Sequence, residues 1–179
     1  MKRLNWGCGP TARFGWDNTD LDPWPGLQFT ADILKGLPVS DETYDYIVGI
    51  HVLPELAYEN QDRALTELRR TLKPGGILRL GLPDMDRAIK AYLERDVDYF
   101  LIGDDVIRDL AGKLIVQLTW YGRSRCLFTA TMMRELLERN GYVDVTVYEF
   151  RQSNSGLPGI TDLDDRPLES FFIEGTKAK

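Results

Sequence analysis

Apolar residues follow two rhythms along this chain. Short runs rich in β-branched and aromatic residues, closed by glycine, proline or aspartate, predict strands. Apolar positions recurring three and four residues apart predict helices. The first pattern covers Arg3–Trp6, Asn18–Leu21, Gln28–Thr30, Tyr44–Ile50 and Gly76–Leu82. YDYIVGI (44–50) reads as a parallel strand buried on both faces. The second pattern covers Asn60–Leu72, where Ala64, Leu65, Leu68 and Leu72 share a face, and Asp84–Glu94, where Met85, Ala88, Ile89, Tyr92 and Leu93 form one stripe. Lys73-Pro74-Gly75-Gly76 stops the first of these helices. Asp104–Leu118 predicts a further helix, and Thr129 or Thr131 can cap another that ends at Asn140-Gly141. Val143–Phe150 alternates as a strand and Glu169–Gly175 is the last strand. Only the polar loop Gln152–Pro167 separates them, so an antiparallel strand joins an otherwise parallel sheet.

The order predicts an α/β, Rossmann-like fold: a mostly parallel sheet of about seven strands, an antiparallel C-terminal strand, and helices on both faces. The first helix should be short or missing. Gly7–Asp17 is too short and too rich in turn residues for a crossover, which normally takes about a dozen residues or more.

Length and composition narrow the class. At 179 residues, 43% hydrophobic and 28% charged, the chain reads as one soluble domain over 1–179. No apolar run is long enough for a membrane helix or a signal peptide. The two cysteines, Cys8 and Cys126, form no framework, which fits a reducing, cytoplasmic setting. The net charge of −6 argues against a nucleic-acid partner. With a single histidine and no zinc-type spacing, no metal site is expected. The oligomeric state is not legible.

Ligands of open parallel sheets bind beyond the carboxyl ends of the strands, so the residues there carry the chemistry. Gly7-Cys8-Gly9 follows the first strand; two glycines let backbone approach a ligand and leave amides free for it. Asp20 and Asp22 follow the second, where a carboxylate can accept both hydroxyls of a ribose. Asp32 and Ile33 follow the third, His51 the fourth and Pro83-Asp84 the fifth. Asp84 also stands where a helix N-cap is expected, and His51 can be a packing residue as readily as a catalytic one.

LNWGCG (4–9), NTDLD (18–22), TADILKGLP (30–38), DETYDYIVGIHVL (41–53) and RALTELRRTLKPGGILRLGLPD (63–84), in that order, resemble the class I S-adenosylmethionine-dependent methyltransferases, most closely the small type 11 group. RPLESFFIEGTK (166–177) resembles their final antiparallel strand. The resemblance implies S-adenosyl-L-methionine as cofactor, with S-adenosyl-L-homocysteine as product. Asn5, Trp6, Gly7, Cys8 and Gly9 would surround its methionine part, Asp20 with Leu21 its ribose, and Asp32 with Ile33 its adenine, while His51 would lie beside the sulfonium. Two departures stand out: the family usually has an acid where this chain has Asn5, and the histidine often found after the fourth strand is replaced in Leu53-Pro54-Glu55-Leu56.

The reaction expected is methyl transfer to an oxygen or nitrogen of a small-molecule or glycan acceptor. His51 is the first candidate base and Asp84 the second. Residues from about 96 to 128 have no place in the minimal fold and are expected to form a helical substrate lid, with Tyr121 and Arg123 toward the acceptor. Two rivals remain. Gly7–Ala12 also matches G-x-G-x-x-[GA], the fingerprint of an NAD(P)-dependent oxidoreductase, although that fingerprint needs a following helix and an acid about twenty residues on. A non-catalytic S-adenosylmethionine-binding module is the other.

Overall fold

The structure is a computed structural model describing all 179 residues. It contains one seven-stranded sheet. The strands are β1 (Arg3–Trp6), β2 (Asp17–Asp20), β3 (Phe29–Thr30), β4 (Tyr44–Ile50), β5 (Leu72–Pro83), β6 (Tyr142–Tyr148) and β7 (Ser170–Lys177), in the spatial order β3-β2-β1-β4-β5-β7-β6. β1 to β5 pair in parallel, and β7 inserts antiparallel between β5 and β6. The strand order reverses at β1 and β4, which is where a doubly wound sheet opens a crevice.

Helices α1 (Gln61–Thr71) and α4 (Ala130–Arg139) pack on one face. They bury Leu65, Leu68, Met133 and Leu137 against Leu4, Ile47, Leu78, Leu80 and Ile173. Acid at the start of α1 (Asp62) and base at its end (Arg69, Arg70) complement the helix dipole. Thr129 caps α4, its hydroxyl accepting from the Met132 amide. α2 (Met85–Glu94) and α3 (Leu110–Thr119) pack on each other beyond the carboxyl end of β5.

The opposite face departs from the expectation of helices on both sides. It is covered by loops, with Trp16, Leu157, Ile160 and Leu163 over Tyr46, Val48, Ile50 and Ile77. What holds those loops is a buried ion network. Arg79, fully buried in β5, donates to both Asp164 oxygens at 2.8 and 2.6 Å, to Glu174 at 2.6 Å and to the Gln152 carbonyl at 3.1 Å. A guanidinium with every charged partner in place can sit in a core where an unpaired one could not. The 149–167 segment thus replaces a helical layer with a charge-pinned strap.

No helix lies between β1 and β2; residues 10–16 form turns. Asn18 ties that loop down, accepting from the Arg13 amide and donating to the Arg13 and Trp16 carbonyls. The helix expected at Asp104–Leu118 is shorter, because Asp109 caps it by accepting from the Gly112 amide at 2.7 Å. β5 in turn is longer, starting at Leu72 directly after α1. No helix is long and apolar enough to cross a membrane.

Candidate functional site

Gly7 and Gly9 both sit at positive φ, +67° and +52°, a region that costs a side-chain-bearing residue but not glycine. They differ in surroundings. A Cβ on Gly7 would lie 2.2 Å from Val52 Cγ2, so Gly7 lets the ends of β1 and β4 close together. A Cβ on Gly9 would meet nothing within 4 Å, so its backbone faces open space. The loop is fixed by Asp20: Oδ2 accepts from the Gly9 amide at 2.8 Å and Oδ1 from the Asp22 amide at 3.1 Å. Each carboxylate oxygen keeps a lone pair for a further donor.

Glu55, just beyond β4, completes an acidic rim. Its pKa is raised by partial burial and by the Asp20 and Asp22 charges, against the pull of Arg123. An open glycine backbone beside a fixed carboxylate, in an acidic field, suits a cationic adenosyl ligand with two ribose hydroxyls. The residues present therefore fit S-adenosylmethionine.

The other residues expected around the cofactor divide. Asn5 is buried and its Nδ2 donates to Asn18 Oδ1 at 3.0 Å, so it helps hold the 10–16 loop. Trp6 and Ile33 belong to the core. Cys8 is buried, and burial and Asp20 push its thiol up to about 11, leaving it inert at neutral pH. Leu21 is largely exposed. Asp32 caps the 3-10 turn at Ile33–Lys35, accepting from the Leu34 amide at 2.9 Å, and pairs with Lys35 at 3.3 Å.

A second cluster stands where β4, β5 and β7 meet. His51 has φ +54°, a left-handed conformation costing about 1–3 kcal/mol. Its amide donates to the Gly81 carbonyl at 2.8 Å. Its Nδ1 lies 3.0 Å from Arg166 Nη1, and its Nε2 lies 2.7 Å from Ser170 Oγ. A guanidinium only donates, so Nδ1 accepts and Nε2 carries the proton. Burial, with Arg166 beside it, pushes the imidazole down to about 3. Neither ring nitrogen is free, which counts against the base role expected of His51. Asp84 is likewise committed: Oδ1 accepts from the Arg87 amide at 3.1 Å as the α2 cap, and Oδ2 pairs with Arg87 Nε at 3.1 Å.

Residues 96–128 are anchored along the carboxyl edge. The Arg125 and Cys126 amides donate to the Pro54 carbonyl at 2.7 and 3.1 Å. Phe128 forms a bridge to Asp84, and the Arg166 guanidinium lies 5.1 Å from the Trp120 ring centre. Tyr121 and Arg123 are both exposed. Sequence reasoning missed Arg166, Glu169 and Ser170. They lie far along the chain from His51 and come to its corner only because β7 enters the sheet at its carboxyl edge.

A family described as Methyltransferase domain matches residues 11–80. A protein of Aspergillus luteorubrus described as "Probable methyltransferase ltbC" is 46% identical over 48 residues, which is 26% of this chain and 17% of that relative. The chain therefore spans less than a fifth of that relative's length. Among solved structures, an S-adenosylmethionine-dependent methyltransferase from Thermotoga maritima aligns with TM-score 0.63 and 20% identity over 98% of this chain and 82% of that one. One from Archaeoglobus fulgidus gives 0.59 and 14% over 99% and 86%. A third, from Mesorhizobium loti, gives 0.58 and 17% over 98% and 90%. At these identities the likeness is one of fold.

Proposed function

We propose that this chain is a class I S-adenosylmethionine-dependent methyltransferase of the type 11 group and that it transfers a methyl group to a nitrogen or oxygen of a small-molecule or glycan acceptor. The observation that carries the reading is the pairing of Gly9, open to solvent, with Asp20, whose carboxylate is aimed by two backbone amides. When bound, the cofactor supplies a methyl group on a sulfonium, an activated electrophile. Asp20 accepts the ribose hydroxyls, the Gly7–Gly9 backbone lines the methionine part, and Asp32 with Ile33 borders the adenine. His51, held neutral, forms a wall of the acceptor side rather than its base. The 96–128 segment lies over the strand ends as a lid that excludes water and orders the acceptor.

The rival dinucleotide reading needs a helix after the glycines to meet a pyrophosphate, and residues 10–16 form turns instead. Two buried, unpaired cysteines agree with a reducing, cytoplasmic setting.

Thermal denaturation with separate additions of S-adenosylmethionine, S-adenosylhomocysteine, NAD and NADP tests the reading. An adenosyl ligand at about 100 times its Kd stabilises by about 2.7 kcal/mol, a shift of several degrees for a domain of this size. A shift with NAD or NADP alone, or with none of the four, overturns it.

A further inference from the structure

Glu169 is 4% exposed and immediately precedes β7. Its backbone carbonyl accepts from the Asp84 amide at 2.7 Å, which places it beside the acceptor-side cluster. Its Oε1 has no hydrogen-bond partner. Arg166 Nη1 stands 3.7 Å away, beyond hydrogen-bond reach, and the same nitrogen is bonded to His51 Nδ1. Asp165, another acid near Glu169, is exposed and lies 3.8 Å from Arg166 Nε, and the remaining candidate bases of this corner are spoken for. His51 uses both nitrogens, Ser170 meets His51, and Asp84 caps α2 and pairs with Arg87. Tyr99 is a poor base, its phenol pushed up to about 12 by burial and by the Asp84 and Glu169 charges.

Burial raises the Glu169 pKa from its ordinary value, Arg166 opposes this, and Asp165 adds to it. A buried carboxylate oxygen left without a donor works against stability. Departures of this kind from full pairing are expected at functional sites.

We propose that Glu169 Oε1 receives the N–H or O–H of the methyl acceptor and takes its proton during transfer. The inference rests on the methyl-transfer reading above. The acceptor's bond to hydrogen breaks and its electron pair stays on the nitrogen or oxygen. That atom bonds to the methyl carbon, while the carbon–sulfur bond breaks with its electrons left on a neutral thioether. The proton ends on Oε1, turning the carboxylate into a carboxylic acid. A carboxyl whose pKa is raised by burial takes a proton more readily than an ordinary one.

The test is Glu169→Gln, with Glu169→Met as a second variant of similar size. Near pH 8 both remove a buried charge that lacks a hydrogen bond at Oε1. The Tm of the ligand-free protein is then expected to equal or exceed that of the wild type, with the difference shrinking as pH falls and the wild-type carboxyl protonates. S-adenosylhomocysteine should bind both variants as it binds the wild type. Transfer of labelled methyl from S-adenosylmethionine to a panel of small amines and phenols should fall by about 100-fold or more.

A Tm several degrees lower in both variants near pH 8 would make Glu169 a structural partner of Arg166 and overturn the proposal. Undiminished transfer by Glu169→Gln would do the same. If the wild type binds no S-adenosylhomocysteine, the methyl-transfer reading fails first and this assignment with it. If the wild type binds the cofactor but methylates no amine or phenol in the panel, the proposal is overturned for those acceptor classes.

Discussion

Asp20→Asn separates the two jobs of that residue. In the folded chain Oδ2 accepts from the Gly9 amide at 2.8 Å and Oδ1 from the Asp22 amide at 3.1 Å. Asparagine has one acceptor oxygen, and its amide nitrogen cannot meet a second N–H. The oxygen should turn to Gly9, the shorter contact, and leave the exposed Asp22 amide to water. The cost to folding is one modest hydrogen bond, about 0.5–1.5 kcal/mol, or a few degrees of Tm at most. The cost to the cofactor is larger. Each ribose hydroxyl that bonded a charged oxygen now meets a neutral amide, losing the difference between the two kinds of bond, about 1–1.5 kcal/mol, which is roughly 5–12-fold in Kd. Titration calorimetry with S-adenosylhomocysteine reads this without turnover. A Kd within about twofold of wild type, with the variant folded, would refute the ribose assignment. A collapse of the ligand-free protein would show instead that Asp20 is chiefly a loop staple.

Three further outcomes follow from the buried networks around Arg79 and His51. Arg79→Met strands two buried carboxylates and should destabilise by about 3–5 kcal/mol, whereas the triple change Arg79→Met, Asp164→Leu, Glu174→Met should recover most of that loss in chemical denaturation; a triple variant no better than the single one would refute the network account. His51, the one histidine, should show no NMR titration between about pH 5 and 8, because its folded pKa lies far below the ordinary value of about 6.5. The unfolded chain therefore binds more protons across that interval, and stability should fall as pH drops below about 6.5 toward the folded value. Arg166→Ala should raise the imidazole pKa, and an unchanged titration would separate the two residues.

Much of the fold was legible because its signals are local. YDYIVGI and GILRLGL announce parallel strands by their unbroken apolar character, and Ala64, Leu65 and Leu68 announce α1 by spacing. The tight passage from Gly7 to Asp17 left room for at most a short first helix, by its length and its turn residues. Asp84 and Thr129 were readable as caps, since a cap depends on the residues that immediately follow it. The glycines and Asp20 were readable for a related reason: they sit at strand ends, and strand ends are where the ligand of such a sheet is found.

The sequence alone thus determined the class of sheet, the antiparallel ending and which residues stand at the carboxyl ends of its strands. Only the tertiary structure decided what each polar group has left to offer. Arg79 reads as an ordinary strand residue until Asp164 and Glu174, more than eighty positions away, close on it. His51 reads as a free imidazole until Arg166 and Ser170 take its two nitrogens. Glu169 reads as the first residue of the last strand and carries no functional signal there, yet it is buried with one oxygen unpaired. Periodicity reports which face a residue presents. The occupancy of its hydrogen bonds is a property of partners brought together by sheet order, and no local pattern encodes it.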